Sequence, residues 1–151
     1  MSRTLLVTGG SGGIGAATCR LAAKRGYDVA IGFAGNAAAA DAVAEDVRKA
    51  GRRAMTVRAD VADSTQVRAM FNAVDRELGQ LHAFFNNAGV LFAGTRFMDI
   101  GEEQLDRMIA INFKGAYIAA QEAARRLAKS RGGPGGAIVN MSSMLAKLGG
   151  G

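Results

Sequence analysis

The pattern of hydrophobic and polar positions divides this chain into short apolar runs and longer segments with helical spacing. The apolar runs predict strands at residues 3–8, 28–33, 54–59, 81–85 and 137–141. Between them, helical spacing predicts helices at 13–25, 37–50, from Asp63 through Leu78, and from 102 to about 129 with a bend. The third helix has the clearest buried stripe, formed by Val67, Met70, Phe71, Val74 and Leu78.

Residues at the ends of these segments support the boundaries. Asn36 is a suitable N-cap for the second helix, and Asp63 with Gln66 three residues later predicts a capping box. Gly26 and Gly51 are placed to end the first and second helices. In the second half of the fourth helix, small residues favour close approach of another backbone; these are Gly115, Ala116, Ala119, Ala120, Ala123 and Ala124.

Strands that alternate with helices predict an α/β fold with a parallel sheet covered on both faces. Right-handed crossovers with one reversal give a Rossmann-type, doubly wound sheet of strand order 3-2-1-4-5 in a single domain over residues 1–151. Ligands of such sheets bind beyond the carboxyl ends of the strands, where the order reverses between strands 1 and 4. A glycine-rich turn leaves strand 1, and the turn 86–89 leaves strand 4.

Composition narrows the choice of partners and compartment. The chain of 151 residues is 49% hydrophobic and 21% charged, enough for one buried core. Its net charge of +6 comes from scattered basic residues without interleaved aromatics, which argues against a nucleic-acid partner. We expect no signal peptide, no membrane span and no metal site. Cys19 has no partner, which favours a reducing, cytoplasmic location, and His82 is expected to be structural or solvent-exposed.

The residues from Thr8 to Gly15 form a turn between an apolar strand and a helix. A helix N-terminus carries unpaired N–H groups and partial positive charge, and therefore favours a bound anion. Glycines let a diphosphate approach the backbone closely. The spacing is G-x-x-x-G-x-G, which differs from the G-x-G-x-x-G of the Rossmann dinucleotide fingerprint.

Five motifs in order resemble the short-chain dehydrogenase/reductase family. They are the glycine turn, the N-N-A-G turn at 86–89, Asp60 followed by Val61, Asn112 in the fourth helix, and the fifth-strand segment that ends in Ser143. The resemblance implies that Ser143 holds and polarises the substrate oxygen and that Asn112 helps to fix a lysine through water. It also implies cofactor contacts from Gly9, Ser11, Gly13, Ile14, Gly15, Asp60, Val61, Asn87, Ala88 and Gly89.

The resemblance implies hydride transfer between a nicotinamide and a small carbonyl or alcohol. NAD-preferring members place an acidic residue at the end of strand 2, and residues 32–36 contain none. NADP is therefore modestly favoured over NAD, although Gly12 stands where many NADP-preferring relatives carry arginine.

The chain departs from the family pattern in one respect. The family's Tyr-x-x-x-Lys is absent, and neither Tyr27 nor Tyr117 is followed by a lysine four residues later. We therefore expect the N-terminal portion of a family member, without the C-terminal strands and helices or part of the homo-oligomer interface. It should bind a dinucleotide weakly or partially, without catalysis, and associate through an uncovered fifth strand. The alternative is a non-catalytic dinucleotide-binding or interaction module.

Overall fold

A five-stranded parallel sheet forms the centre of the molecule. The computed structural model describes residues 2–92 and 94–148, so the glycine tail at 149–151 lies outside the described residues. The strands are β1 (Arg3–Val7), β2 (Tyr27–Phe33), β3 (Ala54–Arg58), β4 (Leu81–Asn86) and β5 (Ala137–Asn140). Their order is β3-β2-β1-β4-β5, which confirms the predicted Rossmann-type topology.

Helices connect the strands and cover both faces of the sheet. They are α1 (Gly13–Lys24), α2 (Ala37–Lys49), α3 (Ser64–Glu77), α4 (Glu102–Ile109), α5 (Ala116–Leu127) and the short α6 (Leu145–Leu148), which the sequence analysis did not predict. Single 3₁₀ turns lie at Phe97–Asp99 and Lys129–Arg131. The predicted boundaries of the first three helices agree with the structure to within one residue or so.

Two apolar cores hold the layers together, one on each face of the sheet. Leu6 and Phe84 point to the face that carries α3 and α5, where the predicted stripe of α3 is buried and the rings of Phe71 and Phe84 meet edge to face at 5.3 Å. Val7 and Ile31 point to the opposite face and pack against α1 and α2. Because adjacent residues of β1 serve both cores, this strand is buried on both sides, as a central parallel strand should be.

Side-chain caps begin α2 and α3, as predicted, but the prediction of a capping box at α3 is wrong. Asn36 accepts from the Ala39 amide at 2.9 Å, and Asp63 accepts from the amides of Thr65 and Gln66. In a capping box Gln66 would return to the Asp63 backbone. Its side-chain oxygen instead accepts from the Asp60 amide at 3.0 Å, and its nitrogen donates to the Asp63 carboxylate. The hydrogen bonds that the Asp63 carboxylate accepts, first from the Gln66 side chain and then from the amides of Thr65 and Gln66, lower its pKa. The bond from the Asp60 amide to the Gln66 side chain joins α3 to the loop after β3.

The predicted bend of the fourth helix is a π-helical segment, Ala110–Gly115, between α4 and α5. At its end, a Cβ on Gly115 would lie 2.5 Å from the Val61 carbonyl oxygen. The small residue therefore lets the helix contact the loop after β3, which is the close approach that the small-residue pattern predicted. Ala119 and Ala123 continue the same buried face.

The amino-terminal edge of the sheet is held by polar contacts. Asp28 is 2% exposed and pairs with Arg52 and Arg53 at 2.8 Å each. Burial by itself raises the pKa of Asp28, but hydrogen bonds from Ser2 and Arg53, with the charge of Arg52, bring it below its usual value. His82 accepts from the Thr4 amide at 3.2 Å, which confirms its structural role.

Cys19 lies inside α1 and is fully buried. Burial raises the pKa of its thiol to about 12, which makes the thiol unreactive in the folded state.

β5 is an edge strand of the sheet, and Val139 on it is 55% exposed.

Candidate active site

The Thr8 hydroxyl joins the carboxyl ends of β1 and β4. It is 1% exposed and accepts from the Asn87 amide at 3.0 Å and from the Ala88 amide at 3.1 Å. The Asn87 side chain returns across the same gap, where its nitrogen donates to the Thr8 carbonyl at 2.9 Å and to the Gly9 carbonyl at 3.2 Å. The glycine turn and the N-N-A-G turn therefore form one hydrogen-bonded unit at the reversal of strand order.

The glycine turn presents unpaired backbone donors. Between Gly10, whose amide donates to the Gly32 carbonyl, and Ala16, whose amide donates to the Gly12 carbonyl, lie five successive residues. Within the described part of the chain, the amides of residues 11–15 donate to no protein acceptor. Gly12 is the N-cap of α1 and offers no side-chain cap, so the positive end of the helix remains available to an anion.

The glycines of this turn serve two different purposes. A Cβ on Gly15 would collide with the Gly9 carbonyl and lie 2.7 Å from the Asn87 side-chain nitrogen. Gly9 and Gly13 adopt positive φ angles of 66° and 50°, which L-residues rarely take. A Cβ on Gly12 or Gly13 would meet no atom within 4 Å apart from those of the neighbouring residues in the chain. Gly9 and Gly15 therefore allow the turn to close, and Gly12 and Gly13 leave room for a ligand beside the amides. The turn thus fits a diphosphate.

Two clefts open beside this unit and share Ala88, Gly89 and Val90. The larger, of about 870 Å³, brings together Asn112 and Ser143 with Asn87 and Phe113. The smaller, of about 270 Å³, is bordered by Gly9, Ser11, Asp60 and Val61. Gly13, Ile14 and Gly15 line neither cleft, and the Ile14 side chain is 61% exposed at the start of α1. The predicted site residues thus lie around two connected cavities and the turn between them.

Asn112 lies in the π-helical segment and makes two hydrogen bonds to the Val90 backbone. Its oxygen accepts from the Val90 amide and its nitrogen donates to the Val90 carbonyl, both at 2.8 Å. The side chain therefore holds the segment after the N-N-A-G turn against the helix. Asn86 lines the same cleft and also contacts the helix. Its side-chain nitrogen donates to the Ala116 carbonyl at 2.8 Å and to the Asn140 side-chain oxygen at 3.0 Å.

The Asp60 carboxylate is held by its own loop and by α4. One oxygen accepts from the Ala62 amide at 3.0 Å, and the other pairs with Arg107 at 2.8 Å. Arg107 lines the smaller cleft together with Asp60. Because a carboxylate has about four acceptor positions, both contacts leave capacity for a ligand donor.

Sequence reasoning missed several residues of this site. Thr8 was noted as part of a motif only, although its place at the end of a buried strand before a glycine turn is a usable signal. The Arg107 contact had no such signal, because it depends on how α4 crosses the end of β3. The same is true of Asn140, which meets Asn86 only through the pairing of β4 with β5.

Two kinds of structure are absent from residues 2–92 and 94–148. No group of three or more His, Cys, Asp or Glu side chains is arranged to hold a metal ion there. No helix in this part of the chain has the length and apolar character needed to cross a bilayer.

Comparison with known proteins agrees with this geometry. A family model described as short chain dehydrogenase matches residues 3–151. The uncharacterized oxidoreductase YgfF of Escherichia coli K12 is 43% identical over 144 residues, which cover 95% of this chain and 58% of that protein. The 3-oxoacyl-[acyl-carrier-protein] reductase FabG of Staphylococcus aureus Mu50 is 35% identical over 149 residues, covering 99% and 59%.

A solved structure supports the same conclusion. A short chain dehydrogenase from Burkholderia cenocepacia J2315 in complex with NADP superposes with a TM-score of 0.89 at 37% identity, over 99% of this chain and 58% of that one. The chain therefore spans somewhat less than 60% of the length of these relatives. The match to the family model extends over nearly all of its residues, and the chain belongs to the short chain dehydrogenase family.

Proposed function

We propose that this chain forms the dinucleotide-binding part of an oxidoreductase that transfers a hydride between a nicotinamide and a small carbonyl or alcohol. The observation that carries the proposal is the run of amides at residues 11–15, which the Thr8 hydroxyl and the Asn87 side chain hold at the reversal of strand order. Relatives that are named a reductase and a dehydrogenase in complex with NADP support the reaction class and the cofactor.

Each part of the site has a proposed task. Gly9, Gly13, Ile14 and Gly15 shape the turn whose amides, with that of Ser11, donate to the diphosphate. The adenosine half occupies the smaller cleft, where Asp60 accepts from the adenine amino group and Val61 contacts the ring. The ion pair with Arg107 orients the Asp60 carboxylate.

The larger cleft is proposed to take the nicotinamide half and the substrate. When bound, the nicotinamide supplies or accepts the hydride. The Ser143 hydroxyl donates to the substrate oxygen and polarises the carbonyl. Asn87, Ala88 and Gly89 form the floor between the two halves, and Asn112 positions this floor through its two bonds to Val90.

NADP is the proposed cofactor in preference to NAD. The loop after β2 is Ala34-Gly35-Asn36, and none of these side chains repels a 2′-phosphate. The substrate is a small molecule, and we propose a cytoplasmic location, as the single buried thiol suggests.

The 151-residue chain by itself is proposed to bind the nucleotide without turnover. Tyr27 packs under the Arg3 guanidinium at the amino-terminal edge of the sheet, remote from the clefts. Tyr117 borders the larger cleft, but it lies in α5 rather than after β5, and the residue four positions later is Gln121 and not a lysine. This observation favours the second candidate, a non-catalytic dinucleotide-binding module. Carbonyl reduction by the purified chain, at a rate typical of enzymes, would contradict it.

The binding proposal is tested by placing a carboxylate at the turn. Gly12 has open space around it and lies at the N-cap of α1, so Gly12→Asp should be accommodated and should favour the helix. The same charge should repel the diphosphate, so NADPH affinity measured by isothermal titration calorimetry should fall on the order of 100-fold, or about 3 kcal/mol.

Two variants separate charge from other causes. Gly101→Asp makes the same exchange at the N-cap of α4, which also has open space, and should leave NADPH affinity unchanged. Gly12→Asn adds nearly the same volume without charge and should lose less affinity than Gly12→Asp. Equal NADPH binding by Gly12→Asp and the parent chain would contradict the proposed function.

A further inference from the structure

A third cleft extends the proposed adenosine site toward the edge of the sheet. It has a volume of about 580 Å³ and is lined by Ala34, Gly35, Arg58, Asp60, Gln66 and Arg107. Four of these residues also line the smaller cleft described above, namely Ala34, Gly35, Asp60 and Arg107. A nucleotide that places its adenosine in the smaller cleft would therefore have its ribose beside this polar cavity.

Arg58 brings a guanidinium to the loop that follows β2. It is the last residue of β3 and lies opposite Phe33, the last residue of β2, in the parallel pairing. Its Nε donates to the Ala34 carbonyl at 3.1 Å, which holds the side chain across the start of the loop. Ala34 and Gly35 carry almost no side chain of their own, so the guanidinium is the main polar group at this point.

Two arginines line this cavity, and they differ in whether an acidic side chain pairs with them. Arg107 is neutralised by Asp60 at 2.8 Å. Arg58 forms no ion pair in the described part of the chain, and its terminal nitrogens donate to no protein acceptor there. The residue is exposed and lines the cavity, so its terminal nitrogens are available to a ligand there.

We propose that Arg58 determines cofactor specificity by binding the 2′-phosphate of NADP. In dinucleotide-binding folds the ribose 2′ position lies near the end of the second strand, where an acidic side chain selects a hydroxyl and an arginine accommodates a phosphate. Here the arginine comes from the neighbouring strand, and Ala34 and Gly35 leave the space that its guanidinium needs. A planar guanidinium donates two parallel hydrogen bonds to a phosphate, which gives both affinity and orientation.

This inference rests on the proposed function, since it requires the adenosine half to bind in the smaller cleft. It is tested with adenosine 2′,5′-bisphosphate and adenosine 5′-diphosphate. The two probes carry equal numbers of phosphates, and only the first has one at the 2′ position. Neither requires the nicotinamide half of the site or any catalysis.

Calorimetric affinities of the full 151-residue chain give the expected pattern. The parent chain should bind the 2′,5′-bisphosphate more tightly than the 5′-diphosphate. Arg58→Gln should weaken the 2′,5′-bisphosphate by about 10- to 100-fold, the loss of one charge-assisted phosphate contact, and leave the 5′-diphosphate within about twofold. Arg58→Lys keeps the charge without the paired donors and should fall between the two.

A control removes the same charge elsewhere. Arg76→Gln changes an exposed arginine near the carboxyl end of α3, at the opposite edge of the sheet, and should leave the ratio of the two affinities unchanged. Circular dichroism and melting temperature verify that Arg58→Gln is folded, as its exposed position leads us to expect.

The outcomes separate the two proposals. A parent chain that binds both probes without preferring the 2′-phosphate would overturn the role of Arg58 alone. So would an Arg58→Gln variant that keeps the parent's preference. Failure of the parent chain to bind either probe would overturn the proposed function and this inference with it.

Discussion

Replacing the Thr8 hydroxyl by a methyl group tests how the site is held together. Thr8→Val keeps the shape of the side chain but removes the acceptor for the amides of Asn87 and Ala88. An unpaired buried donor costs about 1–3 kcal/mol, and because both residues are half-buried the lower end applies to each. We therefore expect a loss of about 2 kcal/mol in the free energy of unfolding, measured by urea denaturation.

The same substitution should weaken nucleotide binding. The amides of Asn87 and Ala88 and the Asn87 side chain bind Thr8 and Gly9 and so position the glycine turn. When the Thr8 hydroxyl is lost, the amides of the turn should be less well aligned with a bound diphosphate. We expect NADPH affinity to fall on the order of tenfold, or about 1.4 kcal/mol. Thr8→Ser keeps the hydroxyl and should restore most of that affinity.

Thr4 provides a matched control at the other end of β1. It is also 1% exposed, and its hydroxyl donates to the Leu78 carbonyl at 3.3 Å. That carbonyl also accepts from Arg53 at 2.9 Å, so Thr4→Val leaves it paired and should cost about 1 kcal/mol in stability. NADPH affinity should not change. Equal loss of affinity in Thr4→Val and Thr8→Val would refute the reasoning, because it would trace the loss to stability alone.

Three further predictions concern single positions. Gly15→Ala should destabilise the fold by about 1–3 kcal/mol and weaken NADPH binding, since its Cβ would meet the Gly9 carbonyl. Gly101→Ala, in open space, should do neither, and unchanged binding by Gly15→Ala would count against the packing described. The Cys19 thiol should react with a disulfide reagent only through opening of α1, and saturation with NADPH to 100 times its Kd should slow labelling about 100-fold; prompt stoichiometric labelling would contradict its burial. Asp28→Asn should cost about 3 kcal/mol at pH 7, because it leaves two arginines facing an uncharged group. Since the folded-state pKa of Asp28 is lowered, its contribution is present above the unfolded pKa of about 3.9 and is lost as pH falls below it, so the variant and the parent should converge in stability in acid; a difference independent of pH would be evidence against this pairing.

Much of the fold follows from local pattern. The apolar runs predicted each strand to within a residue or two. For β1 and β2 the reason is that strands buried on both faces need continuous hydrophobic sequence. Asn36 and the stripe of α3 behaved as predicted for similar reasons, since caps and amphipathic faces depend on neighbours in sequence. The π-helical segment was predicted only as a bend, and its contact between Gly115 and the Val61 loop joins parts of the chain that are distant in sequence.

The site was harder to derive than the fold. Motif spacing and topology predicted that Asn112, Ser143 and Asp60 lie at one crevice. The structure instead places Asn112 and Ser143 at one cleft and Asp60 at a neighbouring one. Motif spacing did not show that Gln66 pairs with the Asp60 amide, that Arg107 neutralises Asp60, or that Arg58 lies beside Ala34. Each of these contacts joins segments that are brought together only by the packing of loops and helices at the sheet edge, and no periodicity in the sequence encodes them.

The central claim is that the amides of residues 11–15 receive the diphosphate of the nucleotide. Titration of ¹⁵N-labelled chain with NADP, followed by backbone amide resonances, tests this most directly. We predict saturable shifts at Ser11, Gly12, Gly13, Ile14 and Gly15, together with Asn87–Gly89, and their loss in Gly12→Asp. Saturable binding that shifts other amides and leaves residues 11–15 unchanged would contradict the account.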